Sequence, residues 1–268
     1  DHRDLHSFPT RRSSDLTFGT STQLTRIDRS GLDPDFGGDG GAFFMNPLTL
    51  SHDENGDLTV FPWPEDEFFG NPLAPTLAIN DNVNNKIFTS NYLEYRFPFV
   101  EGLSYKLNTG VEYGSRNEGT YFGRNTADGA NRNGEAEVRN QVDENYLIEN
   151  IINYSRDFGD HSVAFTGLYS AQKIRFEENT TEGVNFPSDL LEYRQLNFSG
   201  ENISSEVDFE QRTLISQMAR FNYGYQGKYL LTFTVRRDGY SGFGENNKYG
   251  VFPSAALGWN ISDESFFP

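Results

Sequence analysis

Between Tyr229 and Phe267 the chain reads YLLTFTVRRDGYSGFGENNKYGVFPSAALGWNISDESFF, and its side chains alternate. Tyr229, Leu231, Phe233 and Val235 fall on one face, with Leu230, Thr232, Thr234 and Arg236 on the other. After a Gly- and Asn-rich connection, Val251, Ala255, Leu257, Trp259 and Ile261 share a face opposite Ser254, Ala256, Gly258 and Asn260. A repeat of two means β-strand, because successive side chains in an extended chain point to opposite sides. One greasy and one wet face suit a soluble sheet with a solvated side. They equally suit a membrane barrel with lipid outside and water within.

The same alternation recurs upstream. A loose strand is expected from Thr17 to Asp28 and clearer ones over Lys86–Phe97, Leu103–Tyr113, Glu144–Ser155, Ser162–Phe176 and Val207–Tyr225. Between them, long polar connections alternate with short ones. The short ones are Pro98–Gly102, Arg156–Asp160 and Gln226–Lys228. Short turns at one end and long loops at the other characterise outer-membrane barrels. The expected fold is therefore all-β, an antiparallel up-and-down meander of about eight strands. About eight strands can form an arc of a larger transmembrane barrel. Phe97, Tyr154, Tyr223, Tyr225, Tyr229 and Trp259 collect near the short turns, where an interfacial aromatic girdle belongs.

Composition narrows the function. The net charge is −17, which argues against nucleic acid and against adsorption to anionic lipid, both of which need basic patches. There is no cysteine, so no disulfide framework and no thiolate metal site. Aromatic residues make up 15% of the chain against only 35% hydrophobic residues in all, an aromatic-heavy balance. No run approaches the ~18 apolar residues of a spanning helix, which leaves a barrel open.

Chemical motifs are sparse. Glu65-Asp66-Glu67 and Glu177-Glu178 are adjacent carboxylates better read as solvated than as a glycosidase pair. Asp53-Glu54-Asn55-Gly56-Asp57 starts like a calcium loop, but Pro64 stands where the bidentate Glu at loop position 12 belongs, so a hairpin turn is expected. GFGENN lacks the helix of a phosphate loop, and His52 and His161 show no orienting partner. No catalytic residue, metal or cofactor is expected. The best binding candidate is the stretch from Gly31 to Asn85, acidic and free of Lys and Arg. Its Phe61, Trp63, Phe68 and Phe69 suit stacking on sugar rings, and Asp66 suits hydrogen bonding to hydroxyls; the plainer reading has them packing on the barrel or on a lid. Arg236, Arg237 and Asp238 end a rising strand at the rim. Parity sends Arg236 inward and Arg237 outward, within reach of lipopolysaccharide or of Asp238, and the plainer reading is a rim ion pair.

YLLTFTVRRDG, the Phe-Gly of Phe243-Gly244, Asn246-Asn247-Lys248-Tyr249-Gly250 and FPSAALGWNIS together resemble the SusC/RagA family of TonB-dependent outer-membrane transporters. The resemblance is dense from about Gln211 onward, with a weaker echo at Phe186–Leu191. The family's Ser-Ser-Arg-Phe-Gly is here Tyr240-Ser241-Gly242-Phe243-Gly244, so loop chemistry does not carry over. The resemblance implies import of oligosaccharide or peptide fragments across a bacterial outer membrane. It also implies TonB, a SusD-like surface lipoprotein and membrane lipid as partners. A secreted soluble β-protein that binds or cleaves polysaccharide, and a passive porin, remain the other readings. DHRDLHSFPTRRSSDL, Asp1 to Leu16, resembles a translated sequencing adapter and is expected to be unstructured. Residues 17–268 are then expected to be a partial barrel without its plug.

Overall fold

The computed structural model describes residues 15–31, 45–63, 65, 69–245 and 247–266, without the side chains of Pro75 and Ile203. Strands β1 (Leu16–Asp28), β2 (Ile79–Arg96), β3 (Leu103–Phe122), β4 (Glu135–Phe158), β5 (His161–Val184), β6 (Glu201–Tyr225), β7 (Tyr229–Tyr240) and β8 (Tyr249–Trp259) follow one another in the chain. They lie in the same order in one sheet, each antiparallel to its neighbour. The expected meander is the fold. A single helical turn, α1 (Ala127–Ala130), sits between β3 and β4. Among the described residues no helix is long and apolar enough to cross a membrane, which says nothing of strands.

Residues paired across a ladder share a face, so the register traces each face over the whole sheet. Tyr95, Tyr105, Ile152, Gly167, Ala219, Val235 and Pro253 form one such row. Leu93, Leu107, Val111, Ile148, Phe165, Tyr169, Phe221, Phe233 and Leu257 lie on that same apolar face. The opposite face carries Lys86, Lys106, Glu112, Glu149, Arg220 and Arg236. The apolar face is bare: Leu257 is 85% exposed and Phe233 48%. No second sheet covers it among the described residues, and a sheet made for water does not leave such a face open.

The register also fixes a tilt. Leu103, the first residue of β3, shares its row with Tyr154, Phe165, Phe221 and Phe233. Phe233 lies about four residues beyond Tyr229, where β7 begins after its own short turn. That is roughly 13 Å of slide across roughly 19 Å of sheet, a tilt of about 35°, within the range of transmembrane barrels. Outward apolar positions run from Leu103 to Tyr113 in β3, Tyr154 to Tyr146 in β4 and Val163 to Ala171 in β5. At ~3.3 Å per residue and this tilt, the β3 run is about 27 Å tall and the β4 and β5 runs about 22 Å, on either side of the hydrocarbon thickness a barrel presents.

At the short-turn edge of the band the expected girdle is present. The rings of Tyr225 and Tyr229 stack at 6.3 Å and those of Tyr229 and Trp259 at 6.4 Å, while Tyr95 meets Phe97 edge-on at 4.9 Å. The short turns hold left-handed residues: Gly102 (φ 83°), Gly159 (φ 60°), and Gln226 with Gly227 (φ 53° and 69°). At Gly102 a Cβ would also run into the Ser155 carbonyl, so this position needs glycine twice over.

Several strands are longer than their alternation implied. β2 starts at Ile79, not Lys86; β3 runs to Phe122, β4 starts at Glu135, β5 runs to Val184 and β6 starts at Glu201. These extensions carry polar side chains on both faces because both faces are wet above the band. Period-two contrast vanishes there, and ladder hydrogen bonds alone hold the strands. The loop expected over 114–140 therefore shrinks to residues 123–134, and that over 177–205 to 185–200. Ile261 leaves β8 for a short 3-10 turn over Ile261–Asp263. Of the adapter-like segment, residues 1–14 fall outside the described residues. Leu16 joins β1 opposite Tyr95 but stays 52% exposed, and the Arg96 amide donates to the Asp15 carbonyl at 2.7 Å.

Candidate functional site

The long-loop end holds the protein's buried core. The tips of β3 and β4 bring together Tyr121 and Ala136, and Phe186 from the 185–200 connection packs on them, its ring 5.8 Å from that of Tyr121. All of this lies on the outward face. The Tyr193 ring lies against Gly119, where any Cβ would collide with it. The Tyr193 hydroxyl donates to Asp81 at 2.6 Å, and Arg194 donates to the same carboxylate at 2.8 Å. Burial, then the bond to Asp81 and its charge, push the Tyr193 phenol up to about 12. Arg124 clamps the connection from below, donating to Asp189 at 2.5 Å and to the Phe186 carbonyl, while the Tyr121 hydroxyl donates to Asp189 at 2.6 Å. The segment 185–200 is thus a strap fastened over the outer side of the rim.

The connection before β2 is fastened differently. Asn71 is buried, and its amide donates to the carbonyls of Ser51 at 2.7 Å and Thr59 at 2.8 Å while its oxygen accepts from Leu73 N–H at 3.0 Å. Asp53 accepts from the amides of Asn55 and Asp57 at 2.8 and 2.9 Å, closing a hairpin in which His52 bridges Leu58. The Asp57 amide leads the bonds that hold the Asp53 carboxyl below the usual carboxylate range, against desolvation, which pulls the other way. The expected hairpin turn is therefore there. This folded loop leans on α1: Gly70, Asn71 and Ala74 share a small hollow with Phe122, Thr126 and Ala127. Phe122 belongs to the polar face by its place in the alternation.

The polar face below is a wall of paired charges. Glu118 accepts from Arg116 and from Asn82 at 2.6 Å, and lies 3.5 Å from Arg139, which also meets Glu137 at 3.0 Å. Lys86 pairs with Glu112. A hollow of about 360 Å³ opens beside Gly110, edged by Phe88, Tyr92, Asn108, Asn145 and Glu149. Aromatic edges, amides and carboxylates meet around it.

No protein-family profile matches the chain. Curated relatives do. Over 236 residues, 86% of this chain and 23% of the relative, it is 30% identical to TonB-dependent receptor P3 of Formosa agariphila. Over 203 residues, 73% of this chain and 19% of the relative, it is 30% identical to TonB-dependent receptor SusC of Bacteroides thetaiotaomicron. A chain of the solved RagAB peptide transporter superposes with a TM-score of 0.75 at 20% identity, covering 96% of this chain and 30% of that one. The chain is a barrel-wall segment related to SusC-type TonB-dependent receptors. It spans between 19% and 25% of the length of the curated relatives it matches.

On this receptor wall the site residues expected from the sequence separate into two places. Phe61, Trp63 and Phe69 are half-buried in the loop before β2, while Asp66 and Phe68 lie outside the described residues. At the rim, Arg236 donates through Nε to both Asp238 oxygens at 2.8 Å and reaches Ser216 at 3.3 Å. Arg237 does not reach Asp238, because neighbouring side chains in a strand point apart; it lies over the Tyr249 ring at 4.1 Å on the outward face. Sequence reasoning missed Asn71 and the Arg124–Asp189 clamp. A lone Asn in a loop gives no signal, and the clamp joins residues 65 apart in sequence.

Proposed function

We propose that this chain is part of the wall of an outer-membrane active transporter that imports glycan or peptide fragments. In this reading TonB supplies the energy and a SusD-like surface lipoprotein covers the long-loop end. The observation that carries it is the exposed and mostly apolar face, of bilayer height and transmembrane tilt, backed by a polar, charge-paired wall. Relatedness to TonB-dependent receptors favours energised uptake over a passive pore. The bare face speaks against a secreted soluble protein. Phe61, Trp63 and Phe69, with Asp66 and Phe68, form the ligand- or lid-contacting stretch, held in place by Asn71. Transport, rather than catalysis, is the activity assigned.

The test is uptake in cells. The intact gene is supplied to a deletion strain, and growth on defined oligosaccharides and oligopeptides is compared with and without functional TonB. Growth on one of these classes that needs both the gene and TonB is expected. Growth that ignores TonB would leave a passive pore, and recovery of the protein outside the outer-membrane fraction would refute the reading. Trp63→Ala is expected to weaken ligand binding by about 1–3 kcal/mol if the ring stacks on ligand.

A further inference from the structure

At the top of the apolar band the outward side chains change character together. Allowing for the tilt of about one residue per strand, Tyr113 stands level with Arg26 in β1, Tyr146 in β4, Lys173 in β5, Arg237 in β7 and Tyr249 in β8, each within about one outward position. The charges at this level are cations except Glu144, the ladder partner of Tyr113, which Arg175 meets at 3.6 Å; Asp28 and Glu177 stand higher. In a chain of charge −17, carboxylates abound, and Arg116, Arg124, Arg139, Arg175 and Arg236 all have one. Among the described residues Lys173 and Arg237 have none, as have Lys106 and Arg220 on the polar face and Lys248 at the rim; Arg237 lies over the Tyr249 ring. Between them lies an outward hollow of about 150 Å³, lined by Thr213, Ile215, Gly239, Ser241, Lys248 and Tyr249. Lys173 is directly opposite Thr213 in the ladder, and Gly239 is buried at the floor, where a larger side chain would meet Tyr249.

We propose that Lys173, Thr213, Arg237 and Tyr249 bind the phosphorylated headgroup of an outer-leaflet lipid. The proposal rests on the outer-membrane reading above. The two cations stand at the height where a headgroup phosphate meets the hydrocarbon edge, and their long stems cross the apolar margin to reach it. Thr213 and Ser241 offer hydroxyl donors to phosphate oxygens. Tyr249 fixes the Arg237 plane and faces the first methylenes of the chains, as an interfacial aromatic does.

The protein is purified from outer membranes in uncharged detergent, and its outer-membrane origin and heat-modifiable migration are scored first. Failure there overturns the transporter reading and not the site. It is then titrated with phosphatidic acid, with phosphatidylcholine and with inorganic phosphate, and bound lipid is counted by native mass spectrometry. Phosphatidic acid is expected to bind at least about tenfold more tightly than phosphatidylcholine, and inorganic phosphate is expected not to displace it. Lys173→Gln with Arg237→Gln is expected to weaken phosphatidic acid by about 25-fold, about fivefold for each cation. Lys173→Arg with Arg237→Lys retains most of the binding, and Arg220→Gln on the polar face changes nothing. Unchanged binding by the double Gln variant overturns the proposal. Full displacement by inorganic phosphate overturns it too, in favour of a free-anion site.

Discussion

Phe233→Arg tests the assignment of faces at its most sensitive point. Phe233 lies near mid-height of the band on β7, between Phe221 and Ala255 in its row. It is 48% exposed, so about half of its ring would meet lipid. An arginine at mid-bilayer on the outer surface of a barrel costs about 2–4 kcal/mol. Loss of the ring's contact with Phe221 adds roughly 0.5–1 kcal/mol. The expected total is about 2.5–5 kcal/mol. Thr234, the next residue, points to the polar face and accepts from Arg220 Nε at 3.2 Å. Thr234→Arg places a second cation beside Arg220 in water, which is worth about 0.5–1 kcal/mol at most. The assay is equilibrium unfolding by guanidinium of the protein in phospholipid vesicles, followed by tryptophan fluorescence, with both variants measured against the parent. The two changes are one residue apart and chemically alike, so only facing distinguishes them. Equal losses, or a larger loss for Thr234→Arg, would refute the assigned register, since a slip by one residue inverts every side chain.

Three further outcomes are expected. Tyr193→Phe keeps the ring on Gly119 but removes the bond to Asp81; it is expected to destabilise the strap by about 1 kcal/mol, read as faster hydrogen exchange confined to residues 185–200. Because the folded Tyr193 phenol titrates higher than in the unfolded chain, its contribution is complete below the ordinary tyrosine value near 10 and is lost as pH rises through about 12, so strap exchange in the parent protein should accelerate in that window and not in Tyr193→Phe. Asn71→Ala strands the Thr59 carbonyl and leaves that of Ser51 only the Thr59 amide, at about 1–3 kcal/mol, and limited proteolysis should then cut within 45–78 while the strands stay protected. Glu264 accepts from the Tyr229 hydroxyl at 2.6 Å and from Trp259 Nε1 at 3.2 Å, and also meets Lys228 at 3.4 Å. The Tyr229 bond leads in holding its carboxyl below the usual range. Its support for the girdle end is therefore present above the ordinary carboxylate value and lost as pH falls through the lowered one. Trp259 emission should shift on acidification in the parent and stay flat in Glu264→Gln.

The part of the fold legible in the sequence is the part that sits between two solvents. From Leu103 to Tyr113 lipid and water impose opposite chemistry on successive residues, so alternation reports the strand, its ends and its facing. Past Tyr113 the same strand continues through Ser115, Asn117 and Gly119 with water on both sides, and the pattern stops although the ladder does not. Arg236 and Arg237 show the same logic at one residue's resolution: parity told them apart, and Asp238 went to the one on its own face. The strap could not be read this way. Its fastening relies on Gly119, Tyr193, Asp81 and Arg124, residues from different strands and loops whose meeting depends on register rather than on local pattern.

The two loops grip the rim from opposite sides, and this has a mechanical consequence. Strand tips that rise above the band lose the bilayer as a support, and ladder bonds open to water exchange readily. The strap buries Phe186 and Tyr121 on the outward face of β3 and β4, while the Asn71 loop meets α1 beside Phe122 on the polar side. Neither the described part of the loop before β2 nor the strap can swing far without breaking partly buried bonds, at Asn71 in one case and at Arg124–Asp189 in the other. Under the proposed function, a ligand arriving at the long-loop end meets a shaped edge rather than a set of free tails. Preformed edges bind with less ordering entropy to lose, so the aromatic side chains of Phe61 and Trp63 gain most as contacts if the loop beneath them is already folded. Loosening that loop at Asn71 should weaken ligand capture even though Asn71 itself is buried beneath the contact surface, whereas loosening the strap at Tyr193 should leave capture largely unchanged.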